Sequence, residues 1–131
     1  MTLTGDLPGP EVRMVQMVFP DQTNHYGTLF GGHAMRLMDE AAFVAASRWA
    51  RRPVVTVASE RIEFRVPVYR GELVDVVARV VAVGRTSLTV DVALDAEDLT
   101  TGQRRRATEG RFVLVAVDPT GRPTSARTDT P

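Results

Sequence analysis

Gly31-Gly32-His33-Ala34-Met35-Arg36-Leu37-Met38-Asp39-Glu40-Ala41-Ala42-Phe43-Val44-Ala45-Ala46 reads as one long apolar helix, and this helix decides the fold. Gly31 or Gly32 opens it. It runs to about Ala50, where Arg51 and Arg52 suit the negative C-terminal end and Pro53 stops it. A helix this apolar needs cover on more than one side.

The flanking sequence supplies that cover as strands. Upstream, Val12 to Phe19 is β-prone and ends at Pro20, and Asp21 to Phe30 is a loop. Downstream, Val54 to Ala58 is nearly continuous apolar sequence, as expected where both faces are covered. Ile62, Phe64 and Val66 then alternate with Arg61, Glu63 and Arg65. Pro67 to Gly71 breaks the run, and Leu73 to Val83 is the next strand. Gly84 to Ser87 is a turn, Leu88 to Leu94 alternates cleanly, and Ala96 to Gln103 is a polar hairpin loop. Arg104 to Val117 closes the series.

The order predicts an α+β fold: a strand, the helix, then four strands in a meander, giving a five-stranded antiparallel sheet wrapped around one long central helix. Long β-rich edges invite pairing with a second copy, so a dimer is the smallest expected unit. Residues 1–10 read as a loose lead, 11–118 as one domain, and 119–131, rich in Pro, Thr, Gly and Arg, as a frayed tail.

The chemistry gathers before and within the helix. Asn24-His25-Tyr26-Gly27-Thr28-Leu29-Phe30-Gly31-Gly32 leads into it. A glycine pair at a helix start offers bare N–H groups and the positive end of the dipole. Asp39 falls on the apolar stripe with Met35, Ala42, Phe43 and Ala46, where a carboxylate needs a partner or a task. Glu40 lines up with Arg36 on a solvated face. Together these residues suggest a site that polarises a carbonyl and supplies a base. The structural alternatives are an Asp39 ion pair across an interface, Asn24 as a turn residue, and a glycine pair that permits close packing.

Composition narrows the classes. The 131 residues carry 16 Arg and no Lys against 16 Asp and Glu, so no net charge argues for nucleic-acid binding. No Cys means no thiol nucleophile and no thiolate metal site. The N-terminus lacks the basic start and apolar core of a signal peptide, and no apolar run has the length of a membrane span. The expected compartment is the cytoplasm, with no nucleic acid and no membrane as partner.

Asn24, Gly27, Phe30-Gly31-Gly32, Met38-Asp39, Val55-Thr56-Val57-Ala58, Pro67-Val68, Gly71-Glu72 and Val83-Gly84-Arg85-Thr86-Ser87 together resemble the hotdog-fold acyl-CoA thioesterases. The likeness is to the broad-specificity cytosolic type related to the brain acyl-CoA hydrolase, and it runs from about Met14 to Val117. It implies hydrolysis of an acyl-CoA to free acid and CoA with no metal and no cofactor, coenzyme A being part of the substrate. It implies that Asn24 positions the substrate or the attacking water, that the Gly31 and Gly32 amides hold the thioester oxygen, and that Asp39 is general base or nucleophile. It further implies that the Val57, Ala58 and Ser59 backbone bonds the pantetheine and that Arg85, Thr86 and Ser87 meet the CoA moiety. The family is built on homodimers and often assembles them into trimers of dimers.

Two other functions fit the same fold. A hydratase or dehydratase of enoyl thioesters would want an Asp and a His in a tight loop; Asp21-Gln22-Thr23-Asn24-His25 mimics this but lacks a Pro after Asn24 and a later His. A non-catalytic acyl-CoA sensor would append a DNA-binding segment, for which the ten residues before the first strand are too few, and would not need Asp39. His25 and His33 read as residues lining or flanking a pocket, since neither a Gly-x-Ser-x-Gly nor a His-x-x-x-His motif accompanies them. Arg51-Arg52 reads as a helix terminus and Arg104-Arg105-Arg106 as an edge strand protected from aggregation.

Overall fold

In the computed structural model, which describes residues 11–127, one helix lies against one antiparallel sheet. The elements are β1 (Val12–Met17), α1 (Gly31–Ala50), β2 (Val54–Phe64), β3 (Leu73–Val83), β4 (Ser87–Glu97) and β5 (Arg104–Ala116). A short helical turn, Pro20–Gln22, sits between β1 and α1. This is the hotdog arrangement that the resemblance implies. Among the described residues no helix is long and apolar enough to cross a membrane.

α1 buries a stripe of small residues, Ala34, Ala41, Ala42, Ala45, Ala46 and Ala50, with Leu37 and Met38. Alanine at these positions lets the sheet approach the helix closely, and Met38, fully buried, meets the sheet's own Leu88, Leu94, Phe112 and Leu114 in one core. The inward face of β3 and β4 alternates as read: Val74, Val76, Ala78 and Val80, then Leu88, Val90, Val92 and Leu94. On the opposite face, buried Asp75 accepts from Arg13 at 2.6 Å and from Arg104 at 2.9 Å, which ties β1 to β5 across β3 and β4.

The strand order is β1-β3-β4-β5-β2, so the four later strands are not a simple meander. β3, β4 and β5 are; β2 instead lies at the far edge of the sheet and pairs antiparallel with β5, Val54 opposite Ala116 and Phe64 opposite Thr108. β2 is therefore an edge strand and β5 an interior one. Arg104 to Arg106 lie beyond the β2 pairing, which ends at Thr108, and they are not left as free charges along an edge strand. They pair with acids on neighbouring segments: Arg104 with Glu97, Arg105 with Glu72, Arg106 with Asp95.

β2 also departs from the expected covered strand. Only Val54 is buried, and Val55 and Val57 are 45% and 56% exposed. Its alternation is broken where Arg61 takes a left-handed φ of 55° and the register with β5 slips between Glu60 and Glu63. Gly110 on β5 accommodates this bulge, since any Cβ there would run into Ile62.

The segment after β5 is docked rather than frayed as far as Arg127. Val117 bridges Pro123, Thr124 N–H donates to Ala116 O at 2.8 Å, and Ala126 N–H donates to Arg85 O at 2.9 Å. Arg52 donates to Ser125 O at 2.7 Å, and Ala126 is fully buried. The holding bonds are mostly to backbone, so no apolar periodicity announced them. The expected loose lead, 1–10, and the last four residues lie outside the described residues.

Candidate active site

The loop before α1 is built on Asn24. Its Oδ1 accepts from Tyr26 N–H at 2.9 Å, Thr28 N–H at 3.2 Å and the Thr28 hydroxyl at 3.1 Å. Gly27, at φ +79°, lets the chain double back so that Asn24 N–H meets Thr28 O at 2.9 Å. The turn role of Asn24 is thus carried by its carbonyl oxygen.

A second loop, residues 65–72, supports the first. Leu29 N–H donates to Val68 O at 2.7 Å and Arg70 N–H to Gly27 O at 3.1 Å. That loop is clamped to β5 by Arg105, whose fork grips Glu72 at 2.7 and 2.8 Å, donates to Pro67 O at 2.8 Å and lies 5.8 Å from the Tyr69 ring centre. The Arg105 guanidinium, aided by Tyr69 N–H, holds the Glu72 carboxyl below its ordinary range.

α1 starts at Gly31 with Phe30 as its N-cap residue and no side chain capping it. The first intrahelical bonds belong to His33 and Ala34, both to Phe30 O at 3.0 Å, so the Gly31 and Gly32 N–H groups have no helical acceptor. A Cβ at Gly32 would meet nothing within 4 Å, and at Gly31 only the Phe64 ring at 3.6 Å. Close packing therefore does not demand this glycine pair.

Asp39 is half-buried and lies on the flank of the helix, beside the buried stripe rather than within it. Phe43, one turn on, is 46% exposed. Asp39 has no ion pair among the described residues. Its Oδ1 accepts from the Thr56 hydroxyl of β2 at 2.8 Å. From the sequence Thr56 was read only within the Val55–Ala58 run, with no role of its own; its one signal was a hydroxyl inside an otherwise apolar strand. Glu40 pairs with Arg36 at 3.2 Å on the solvated face, as read.

One chain does not bring all these residues together. Gly32 and Asp39 are seven helical steps apart, about 10 Å. Ser87 pairs with Val115, and Val54 with Ala116, so the Arg85–Ser87 turn sits at the sheet end that carries the C-terminus of α1, opposite the end that carries Gly31. Val57, Ala58 and Ser59 lie exposed on the outer edge, with Val57 bulged out of register. His25 is exposed against Tyr26, and His33 is half-buried in the first turn of α1. Two clefts open at the Gly31 end. One of about 510 Å³ is lined by Asn24, His25, Tyr26 and Tyr69, and one of about 230 Å³ lies between Gly31 and Phe64. Among the described residues no group of His, Asp and Glu is arranged to hold a metal.

A model of the thioesterase superfamily matches residues 26–103. The acyl-CoA thioester hydrolase YciA of Salmonella typhimurium is 36% identical over 126 residues, 94% of this chain and 95% of that protein. The acyl-CoA hydrolase of Staphylococcus aureus, solved with butyryl coenzyme A, superposes with a TM-score of 0.83 at 31% identity, covering 88% of this chain and 70% of that one. It is also solved with one Asn, one Asp or one Thr replaced by Ala. A hexameric broad-specificity acyl-coenzyme A thioesterase superposes with a TM-score of 0.86 at 30% identity, over 93% and 89% of the two chains.

Proposed function

The chain belongs to the thioesterase superfamily, and on that premise we propose that it hydrolyses acyl-CoA thioesters to a free acid and CoA at a site shared by two copies of the chain. The observation that carries this reading is the Thr56–Asp39 hydrogen bond taken with its spacing. The Asn, Asp and Thr replaced in the Staphylococcus aureus hydrolase stand 15 and 17 residues apart, as do Asn24, Asp39 and Thr56.

In this mechanism the uncapped Gly31 and Gly32 N–H groups receive the thioester oxygen and stabilise the negative charge that grows on it. Asp39 of the other copy either takes a proton from water as the water attacks the carbonyl carbon, or attacks that carbon itself to form a mixed anhydride that water then hydrolyses, freeing Asp39. The carbon–sulfur bond breaks, the CoA sulfur leaves as thiolate and takes up a proton, and the acid remains. Thr56 fixes the carboxylate. Asn24, its Oδ1 already committed to the loop, has Nδ2 left to face substrate or water. The exposed Val57–Ser59 edge supplies backbone groups to the pantetheine amides, and Arg85, Thr86 and Ser87 meet the rest of CoA.

The dimer follows from the same surfaces. β2 is an edge strand bearing exposed Val55 and Val57 next to exposed Phe43. A two-fold operation that pairs β2 with β2 sets the helices antiparallel, bringing Gly31 of one chain toward Asp39 and Arg85 of the other. Trimers of such dimers are the larger assembly proposed.

Thiol release from acetyl- to palmitoyl-CoA tests the function. Hydrolysis is expected to survive exhaustive chelation. Asp39→Asn is expected to lose about 10²–10⁴ in turnover with folding intact, and Glu40→Gln to lose little. Hydration of crotonyl-CoA with no thiol release would replace this reading with the hydratase one.

A further inference from the structure

Arg104, Arg105 and Arg106 are consecutive on β5, and strand alternation sends the middle one to the face opposite its neighbours. Arg104 and Arg106 bond Asp75, Glu97 and Asp95 on the face away from α1. Arg105 stands opposite buried Ala96 and reaches instead into the loops at the Gly31 end. We propose that Arg105 and Glu72 are positioning residues for the reaction: through the 65–72 loop they fix where Asn24 points its Nδ2. This rests on the thioesterase reading.

The bonds run in an unbroken series. Glu72 receives both arms of the Arg105 guanidinium, at 2.7 and 2.8 Å, and the Tyr69 N–H at 2.7 Å. Arg105 also donates to Pro67 O at 2.8 Å. Among the described residues these are the only side-chain hydrogen bonds that residues 66–72 make, so the pair alone ties this loop to β5 through side chains. The loop in turn holds the Asn24 turn through backbone. Leu29 N–H donates to Val68 O at 2.7 Å, Arg70 N–H donates to Gly27 O at 3.1 Å, and Thr28 bridges Tyr69. Thr28 is where Asn24 Oδ1 takes two of its three hydrogen bonds. Oδ1 and Nδ2 share one rigid amide plane, so a shift of Thr28 turns Nδ2 with it. A two-armed Arg–carboxylate pair contributes geometric specificity as well as energy, and a misplacement of about 1 Å relayed from outside the chemistry can cost on the order of 10²-fold in rate.

The test is steady-state thiol release well below the melting temperature, with kcat and KM read separately. Arg105→Met keeps the stem and removes the fork. Its kcat should fall about tenfold with KM within about twofold, since neither residue of the pair touches substrate. Glu72→Gln should change kcat in the same sense, and Arg105→Lys, which keeps a charged donor, should recover part of the loss. Arg106→Met, one residue on and bonded on the other face, should keep the parental kcat. A double-mutant cycle separates positioning from general support. Asn24→Asp keeps the acceptor oxygen that closes the turn and removes Nδ2. In that background Arg105→Met should cost less than about twofold in kcat, because the group it places is gone. Backbone amide exchange at residues 24–30 should quicken by about tenfold in Arg105→Met, with β3 and β4 as protected as in the parent. Losses that multiply in the double variant, a change confined to KM, or parental exchange at 24–30 would each overturn the assignment while thioester hydrolysis stands. Absence of thiol release by the parent from every acyl-CoA would instead remove the reading beneath it.

Discussion

The Thr56 hydroxyl, on the edge strand, donates to Asp39 Oδ1, on the helix, at 2.8 Å. A hydrogen bond to a charged group contributes roughly 1.5–3 kcal/mol, enough to choose one carboxylate rotamer over the others. If Asp39 acts on the thioester, Thr56 acts through it as a positioning residue. Thr56→Val keeps the shape and removes the donor. Its kcat is expected to fall about 10- to 100-fold with KM nearly unchanged, and Thr56→Ser should restore most of it. A change confined to KM would assign Thr56 to substrate binding instead.

Glu72 links stability to pH through Arg105. Its folded-state pKa lies below the ordinary value of 4.5, first because of the Arg105 hydrogen bond. The stabilisation is therefore complete above the unfolded pKa and is lost as the pH falls through the folded one. Glu72→Gln is expected to be less stable than the parent in urea at neutral pH, with the difference shrinking below about pH 4. A difference that stays constant down to about pH 3 would mean the clamp is not ionic.

The C-terminal segment carries a third expectation. Ending the chain at Pro119 removes the Thr124, Ala126 and Arg52–Ser125 hydrogen bonds and uncovers the site of buried Ala126. At about 1 kcal/mol per bond the melting temperature should drop by roughly 10 °C. A melting point within a degree or two of the full chain would show that the docked segment adds nothing.

Local periodicity was enough to place the helix from Gly31 to Ala50 and to bound β3, because both read on one chain segment at a time. The position of β2 was not legible in that way. Its partner begins some fifty residues later, and its unbroken apolar run signals two covered faces whether the cover comes from the same chain or another. Nor was it legible that Arg104 to Arg106 are committed to Glu97, Glu72 and Asp95, acids that lie on other segments of the chain. In the site, Asn24, Gly31 and Asp39 stood out as a loop residue, bare amides and a carboxylate in apolar sequence. Thr56 did not, because a strand threonine is ordinary until its hydroxyl is seen to face a carboxylate. Nor was it legible that Asp39 lies on the flank of the stripe, since one position on a helix shifts a side chain by about 100°.

The account's central claim is that Gly31 and Asn24 of one chain work with Asp39 of another. Co-expressing an Asn24→Ala chain with an Asp39→Ala chain and measuring thiol release tests it most directly. Each homodimer alone should be nearly inactive. Random pairing makes about half of the dimers mixed, each with one intact site of two, so roughly a quarter of parental activity should return. Mixed dimers as inactive as either parent would place Asn24 and Asp39 in one and the same chain's site and contradict the shared active site.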